Sequence, residues 1–176
     1  MNVRRMCFAA LMAALICAIA PVAVPVGPIP ITLATFAVYL AGALLGAKDG
    51  TLAVALYLLL GAVGLPVFSG FSGGFSRIVG ATGGYLVGYL PCAAMIGVAS
   101  DRWGDRKWTI PLAMAAGTAA CYALGTAWYM GFSGVNLGGA MAACVVPFLP
   151  GDALKIAAAS AVAAALRGRM AALRRA

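Results

Sequence analysis

Long apolar stretches alternate along the chain with short runs of Gly, Pro, Ser and charge. The first apolar stretch runs from Met6 to Ala20. It stops where Pro21, Pro25, Pro28 and Pro30 follow, and prolines so close together cannot lie inside a helix. Residues 21–30 therefore predict an extended connector. A second stretch covers Ile31 to Gly46 and closes at Ala47-Lys48-Asp49-Gly50, and a third covers Thr51 to Gly64. A Gly- and Ser-rich loop from Leu65 to Arg77 leads to a fourth stretch, Gly83 to Ser100, with a kink expected at Pro91. The polar link Asp101 to Lys107 precedes a fifth stretch, Trp108 to Met130. After a glycine-rich loop, 131–139, further apolar chain reaches Pro147-Phe-Leu-Pro-Gly151. A sixth stretch, Asp152 to Leu166, ends in a basic tail.

A helix that crosses a bilayer takes about 20 predominantly apolar residues. The 176 residues hold six such stretches with short loops. The pattern thus predicts an all-α membrane protein of about six transmembrane helices, one transmembrane domain over 1–176. Composition agrees: 64% of residues are hydrophobic, 9% are charged and the mean hydropathy is +1.03. A soluble domain carries about 25% charged residues, so lipid is the solvent for most of this surface. Two arginines before the first stretch resemble a signal peptide, but the apolar pattern continues to the end, and Met6 to Ala20 reads as a span.

Charge fixes the expected orientation. With the N-terminus in the cytoplasm, six crossings place Arg4, Arg5, Lys48, Arg102, Arg106, Lys107, Arg167, Arg169, Arg174 and Arg175 inside and only Arg77 outside, with Lys155 in a span. The positive-inside bias then predicts both termini in the cytoplasm. A net charge of +8 spread this way differs from the single basic surface of a nucleic-acid binder, and no nucleic-acid partner is expected. His and Glu are absent, and the four Asp residues are scattered, which removes most metal and paired-carboxylate chemistry. Cys7, Cys17, Cys92, Cys121 and Cys144 lie singly in apolar runs and read as small packing residues. Rows of small side chains four apart, such as Ala9-Ala13-Cys17, Ala10-Ala14-Ala18, Gly42-Gly46 and Gly80-Gly84-Gly88, let helices approach closely in lipid.

The sharpest chemical feature is Asp152 with Lys155, three apart on one helical face at the start of the last apolar stretch. Ionisable groups at membrane depth are costly and mark a substrate or ion path, or else a structural ion pair. The preceding Phe148-Leu-Pro-Gly151 predicts a break in regular backbone, tolerated there only where protein covers it or a cavity lies beside it. On the same outer side lie Arg77, Tyr85 and a loop that carries Gly70, Gly73 and Gly74 with Phe68, Phe71 and Phe75, a candidate lid.

Four runs carry a family resemblance: Pro28-Ile-Pro-Ile-Thr32-Leu-Ala-Thr35-Phe, Tyr57-Leu-Leu-Leu-Gly61-Ala-Val-Gly-Leu-Pro66-Val-Phe68, Thr82-Gly-Gly-Tyr85 and Pro147-Phe-Leu-Pro-Gly-Asp152-Ala-Leu-Lys155. Together they resemble the BioY family, the biotin-binding S components of energy-coupling factor transporters of the bacterial cytoplasmic membrane. The resemblance covers nearly the whole chain, and its last motif is the most specific. It implies that Asp152 and Lys155 contact biotin, and Tyr85 matches the Tyr of the family's GGY motif; Thr35, Gly74 and Arg77 join the candidate substrate site, with Arg77, Tyr85 and loop N–H groups all candidates for the ligand's carboxylate. Ala34 stands where the family more often has Gln after the Thr-Leu pair. The resemblance also implies that the row Ala9-Ala13, with Ala10-Ala14 beside it, docks a coupling subunit. The chemistry agrees: a ureido ring offers two N–H donors to a carboxylate and one carbonyl to an ammonium.

The chain contains no GxxxxGK[ST] loop, so ATP hydrolysis falls to partner ATPase subunits. The expected protein is not an enzyme and uses no cofactor. Two other classes compete: a small membrane enzyme acting on lipid or prenyl substrates, which ordinarily needs clustered acids, and an ion or proton-coupled carrier, for which one Asp–Lys pair is slender support.

Overall fold

The computed structural model describes residues 3–25, 29–104, 106 and 108–175, with side chains through Gly168. Pro28, Asp105, Lys107 and the side chains of Arg169, Arg174 and Arg175 lie outside the described residues. Among those described, seven helices and one two-stranded ribbon occur: α1 (Val3–Ile19), β1 (Ala23–Val24), β2 (Ile31–Thr32), α2 (Ala34–Ala62), α3 (Phe75–Val79), α4 (Gly83–Trp103), α5 (Thr109–Ser133), α6 (Leu137–Cys144) and α7 (Leu149–Arg175). Four helices are long and apolar enough to cross a membrane: α2, α4, α5 and the Leu149–Gly168 part of α7.

α2 contains both the second and third apolar stretches, and Gly46 divides it at φ 78°, ψ −175°. Few residues but glycine reach that backbone region. A Cβ on Gly50 would stand 2.6 Å from the Ala41 carbonyl oxygen, and Ala34 and Tyr57, on opposite sides of Gly46, line one cavity. The two halves are therefore antiparallel. The expected turn over residues 47–50 contracts to Gly46 alone, because Asp101 accepts the Ala47 N–H at 2.9 Å and lets helix resume at once.

α2 packs against α1, α4 and α7, and α4 against α5. Small residues set these approaches. A Cβ on Gly42 would meet the Ala93 carbonyl at 2.7 Å, and one on Gly88 the Cys121 sulfur at 3.0 Å. Cys92, Cys121 and Cys144 are buried free thiols, as packing residues should be.

One end of the bundle is held by polar contacts. Arg5 grips Asp49 with two bonds, Nε to Oδ2 at 2.8 Å and Nη2 to Oδ1 at 2.9 Å. Ser100 donates to the Ala43 carbonyl at 2.8 Å, and Arg167 donates to the carbonyls of Gly104 and Ser100. At the other end the connector after α1 returns as the ribbon, with Ala23 opposite Thr32 and Val24 opposite Ile31.

Two elements differ from the sequence expectation. α7 begins at Leu149, so Pro150 and Gly151 sit in its first turn rather than in a break. Proline is tolerated there because its missing N–H would have no intrahelical partner. The loop after α2 contains α3 and one large anchor: Phe68 packs edge-on against Tyr57, centroids 5.5 Å apart at 85°, over Gly61.

Candidate functional site

The first turn of α7 lifts Asp152 into the bundle, and its N–H donates to the Phe148 carbonyl at 2.8 Å. One turn on, Lys155 Nζ reaches Asp152 Oδ1 at 2.8 Å. The pair is only 4% and 8% exposed. A charge pair this deep persists only where further polar groups complete its hydrogen bonding. Those groups come from α2 and α5. Lys155 donates to Thr35 Oγ1 at 3.1 Å, the Thr35 hydroxyl donates to Asp152 Oδ1 at 3.5 Å, and the Tyr122 hydroxyl donates to Asp152 Oδ2 at 2.5 Å. Thr35 sits in the opening turn of α2, where Thr32 Oγ1 accepts the Ala34 N–H at 3.2 Å. Deeper along α2, Tyr39 and Thr118 share a 2.5 Å bond.

These residues form the polar end of a cavity whose other walls are Cys92, Cys121, Phe148 and the ribbon residues Ile29, Pro30 and Thr32. Tyr85 and Tyr89 line it too, and both also line an adjoining cavity toward Ser69, Ser72 and Arg77. The two spaces share Ile29, Pro30, Thr32, Tyr85 and Tyr89 and so lie side by side, one lined by the Asp152–Lys155 pair and the other by Arg77.

The structure brings Asp152, Lys155 and Thr35 into direct contact. Tyr85 lies between the two spaces, and its hydroxyl donates to the Cys144 carbonyl at 3.0 Å. Arg77 is exposed at the far end. Gly74 lines neither space; at φ 100° it precedes α3, and its N–H donates to the Gly61 carbonyl at 2.7 Å. The candidate lid divides as well: Phe68 is buried, and Phe71 and Phe75 point outward. On α1, Ala9 and Ala13 are buried, whereas Ala10 and Ala14 are exposed. Sequence reasoning missed Tyr39, Tyr89, Thr118 and Tyr122. Their signal was available: phenols and hydroxyls in mid-span, away from the interfacial belts where Tyr ordinarily sits.

Comparison with known proteins follows the same lines. The BioY family model matches residues 1–172. The chain is 40% identical over 164 residues to the biotin transporter BioY of Thermotoga maritima, covering 93% of this chain and 96% of that protein. It is 39% identical over 168 residues to a probable biotin transporter BioY of Pyrococcus horikoshii, covering 96% and 99%. Its fold superposes with TM-score 0.87 and 28% identity on the crystal structure of the S-component for biotin from an ECF-type ABC transporter, over 94% of this chain and 92% of that one. Matched almost end to end in sequence, and alike in fold, the chain belongs to the BioY family.

Proposed function

We propose that this chain takes up biotin, as the membrane-embedded, high-affinity substrate-binding subunit of an energy-coupling factor transporter, and is not itself an enzyme. The observation that carries the reading is the polar end of the cleft. Asp152 and Tyr122 offer acceptors, and the Lys155 ammonium keeps one N–H beyond the two it spends on Asp152 and Thr35. A carboxylate acceptor beside an ammonium donor complements one N–H and the carbonyl of a cyclic urea. The apolar middle of the cleft suits the thiophane ring and valeryl chain. Arg77, Ser69 and Ser72 stand where the chain's carboxylate would arrive, which assigns Arg77 to that charge. Tyr85 acts as a wall between the two halves, and Gly74 positions the loop that holds Arg77.

The whole of 1–176 acts as one transmembrane substrate-binding domain in the bacterial cytoplasmic membrane. α1, the antiparallel halves of α2, α4, α5 and α7 make six crossings, with both termini cytoplasmic and the cleft open to the outside. The 17 residues of α1 lie at the short end of the spanning range, about 17–25. The basic residues near Arg5, Asp49, Asp101 and Arg167 gather at one end of the bundle, which supports that orientation. ATP hydrolysis comes from ATPase subunits through a coupling subunit. The exposed row Ala10-Ala14 on α1 is the docking face, while Ala9 and Ala13 behind it pack internally.

Titration calorimetry of the detergent-purified chain tests the reading. Biotin and desthiobiotin, which share the ureido ring, should both bind and raise the melting temperature. Lipoate lacks the ring and should do neither. Equal binding of all three would remove the ureido assignment.

A further inference from the structure

Arg77 rides on α3, and α3 has little of its own to hold it in place. It is five residues long, none of them buried, and only Ile78 among them packs against the core. A helix this short persists only where tertiary contacts fix it. Two backbone ties close on it, one from each side. Before it, the Gly74 N–H donates to the Gly61 carbonyl at 2.7 Å. After it, the Gly80 carbonyl accepts two bonds, from the Gly83 N–H at 3.0 Å and from Trp128 Nε1 at 2.9 Å. The Trp128 bond is the tie from a distant element, since Trp128 lies on α5. Glycines bring these parts together. A side chain on Gly84 would collide with the Trp128 side chain, and one on Gly83 would collide with the Ile78 carbonyl and stand 3.3 Å from Trp128 Cε2. The end of α3, the first turn of α4 and the indole therefore stack with no side chain between them.

Trp128 is 41% exposed, and a tryptophan near a span end ordinarily sends its N–H to lipid headgroups or water. Here the N–H is spent on Gly80, three residues beyond Arg77. Thr82, inside the turn that this bond closes, lines the same cavity as Arg77. We infer that Trp128 is a positioning residue, which holds the end of α3 so that Arg77 meets the ligand's carboxylate. This rests on the biotin reading, which gives Arg77 that charge. Trp128 then acts on the charged end of the ligand alone, and a ligand without the carboxylate does not register it.

The test is calorimetric titration of the full chain, of Arg77→Ala, of Trp128→Phe and of the double variant with biotin and biotin methyl ester. The ester keeps the rings and chain and lacks the charge. Trp128→Phe keeps an aromatic ring over Gly83 and Gly84 and removes the N–H. The parent should prefer biotin, and Arg77→Ala should erase most of that preference. Trp128→Phe should weaken biotin by about three- to tenfold and leave the ester unchanged. The double variant should bind biotin as Arg77→Ala does, because the two residues act through one contact. Unchanged biotin affinity in Trp128→Phe overturns the inference, as does an equal loss for both ligands, which is what an interfacial anchor or a merely structural indole gives. Losses that add in the double variant overturn it too. So does a Trp128→Phe chain that fails to fold, judged by melting without ligand, since Trp128 is then scaffold. An Arg77→Ala variant that keeps the parent's preference removes Arg77 from the carboxylate and this inference with it, while biotin binding stands. A parent that binds neither ligand overturns the biotin reading itself.

Discussion

Asp152 carries three bonds from three directions, from Lys155 on its own helix, Thr35 on α2 and Tyr122 on α5. Its substitution therefore separates grip from scaffold. Asp152→Asn keeps the shape and removes the charge. A hydrogen bond to a charged group contributes about 1.5–3 kcal/mol, and an unpaired buried partner adds to the loss. Either Asp152→Asn or Lys155→Ala should then weaken biotin by about ten- to several-hundred-fold, at about 1.4 kcal/mol per decade. A purely structural pair behaves otherwise: each single change destabilises, and an Asp152→Asn, Lys155→Met double variant recovers stability and ligand binding together. Calorimetry beside melting curves without ligand tells the two apart. Asp152 and Lys155 were legible in the sequence because charges at membrane depth are rare and their spacing puts both on one helical face. Thr35 came with the family motif. Tyr39, Tyr89, Thr118 and Tyr122 left only a weak signal, polar groups in mid-span, and the fold was needed to show what each one meets.

Helices here owe their positions to absent side chains. Gly46 is required twice: its φ of 78° and ψ of −175° suit glycine, and a Cβ would crowd the Asp101 carboxylate that caps Ala47. Backbone strain of this kind costs about 1–3 kcal/mol. Gly46→Ala should lower the melting temperature by several degrees, at about 2–4 °C per kcal/mol for a chain of this size. An unchanged melting curve would mean that the reversal lies elsewhere. α1 poses the opposite question on its two faces. Ala10→Trp with Ala14→Trp should abolish co-purification with the coupling subunit and leave biotin binding intact, since both positions are exposed. Ala9→Trp with Ala13→Trp should instead damage the fold, because both are buried. The sequence showed that α1 carries small rows but not which row faces inward, as adjacent rows on an alanine-rich helix differ only by rotation. It likewise missed α3, α6 and the early start of α7, because five to eight residues between glycines and prolines leave too little periodicity to read.

At the scale of the molecule, the two ends of the bundle have opposite chemistry. One is laced by Arg5–Asp49, by Asp101 on Ala47 and by Arg167 on the last carbonyls of α4. The other is a ribbon, a short helix and glycine turns around the cleft, with Phe71 and Phe75 facing outward. In the orientation we propose from charge bias, the first end faces the cytoplasm, and a ligand held by Asp152 and Lys155 would enter from outside. Cysteine labelling tests this directly. Starting from a variant without the five native cysteines, a probe at Phe75→Cys should react with an impermeant reagent added to intact cells. A probe at Arg106→Cys, an exposed position in the α4–α5 link, should react only after the membrane is opened. Neighbouring Gly104 is unsuitable for the inner probe, because a side chain there would collide with the Arg167 guanidinium and the Ser100 carbonyl. The probes must be read as a pair, since labelling at both positions in intact cells would report leakage. The reversed pattern, Arg106→Cys labelled from outside and Phe75→Cys protected, would turn the cleft toward the cytoplasm and rule out capture from the medium.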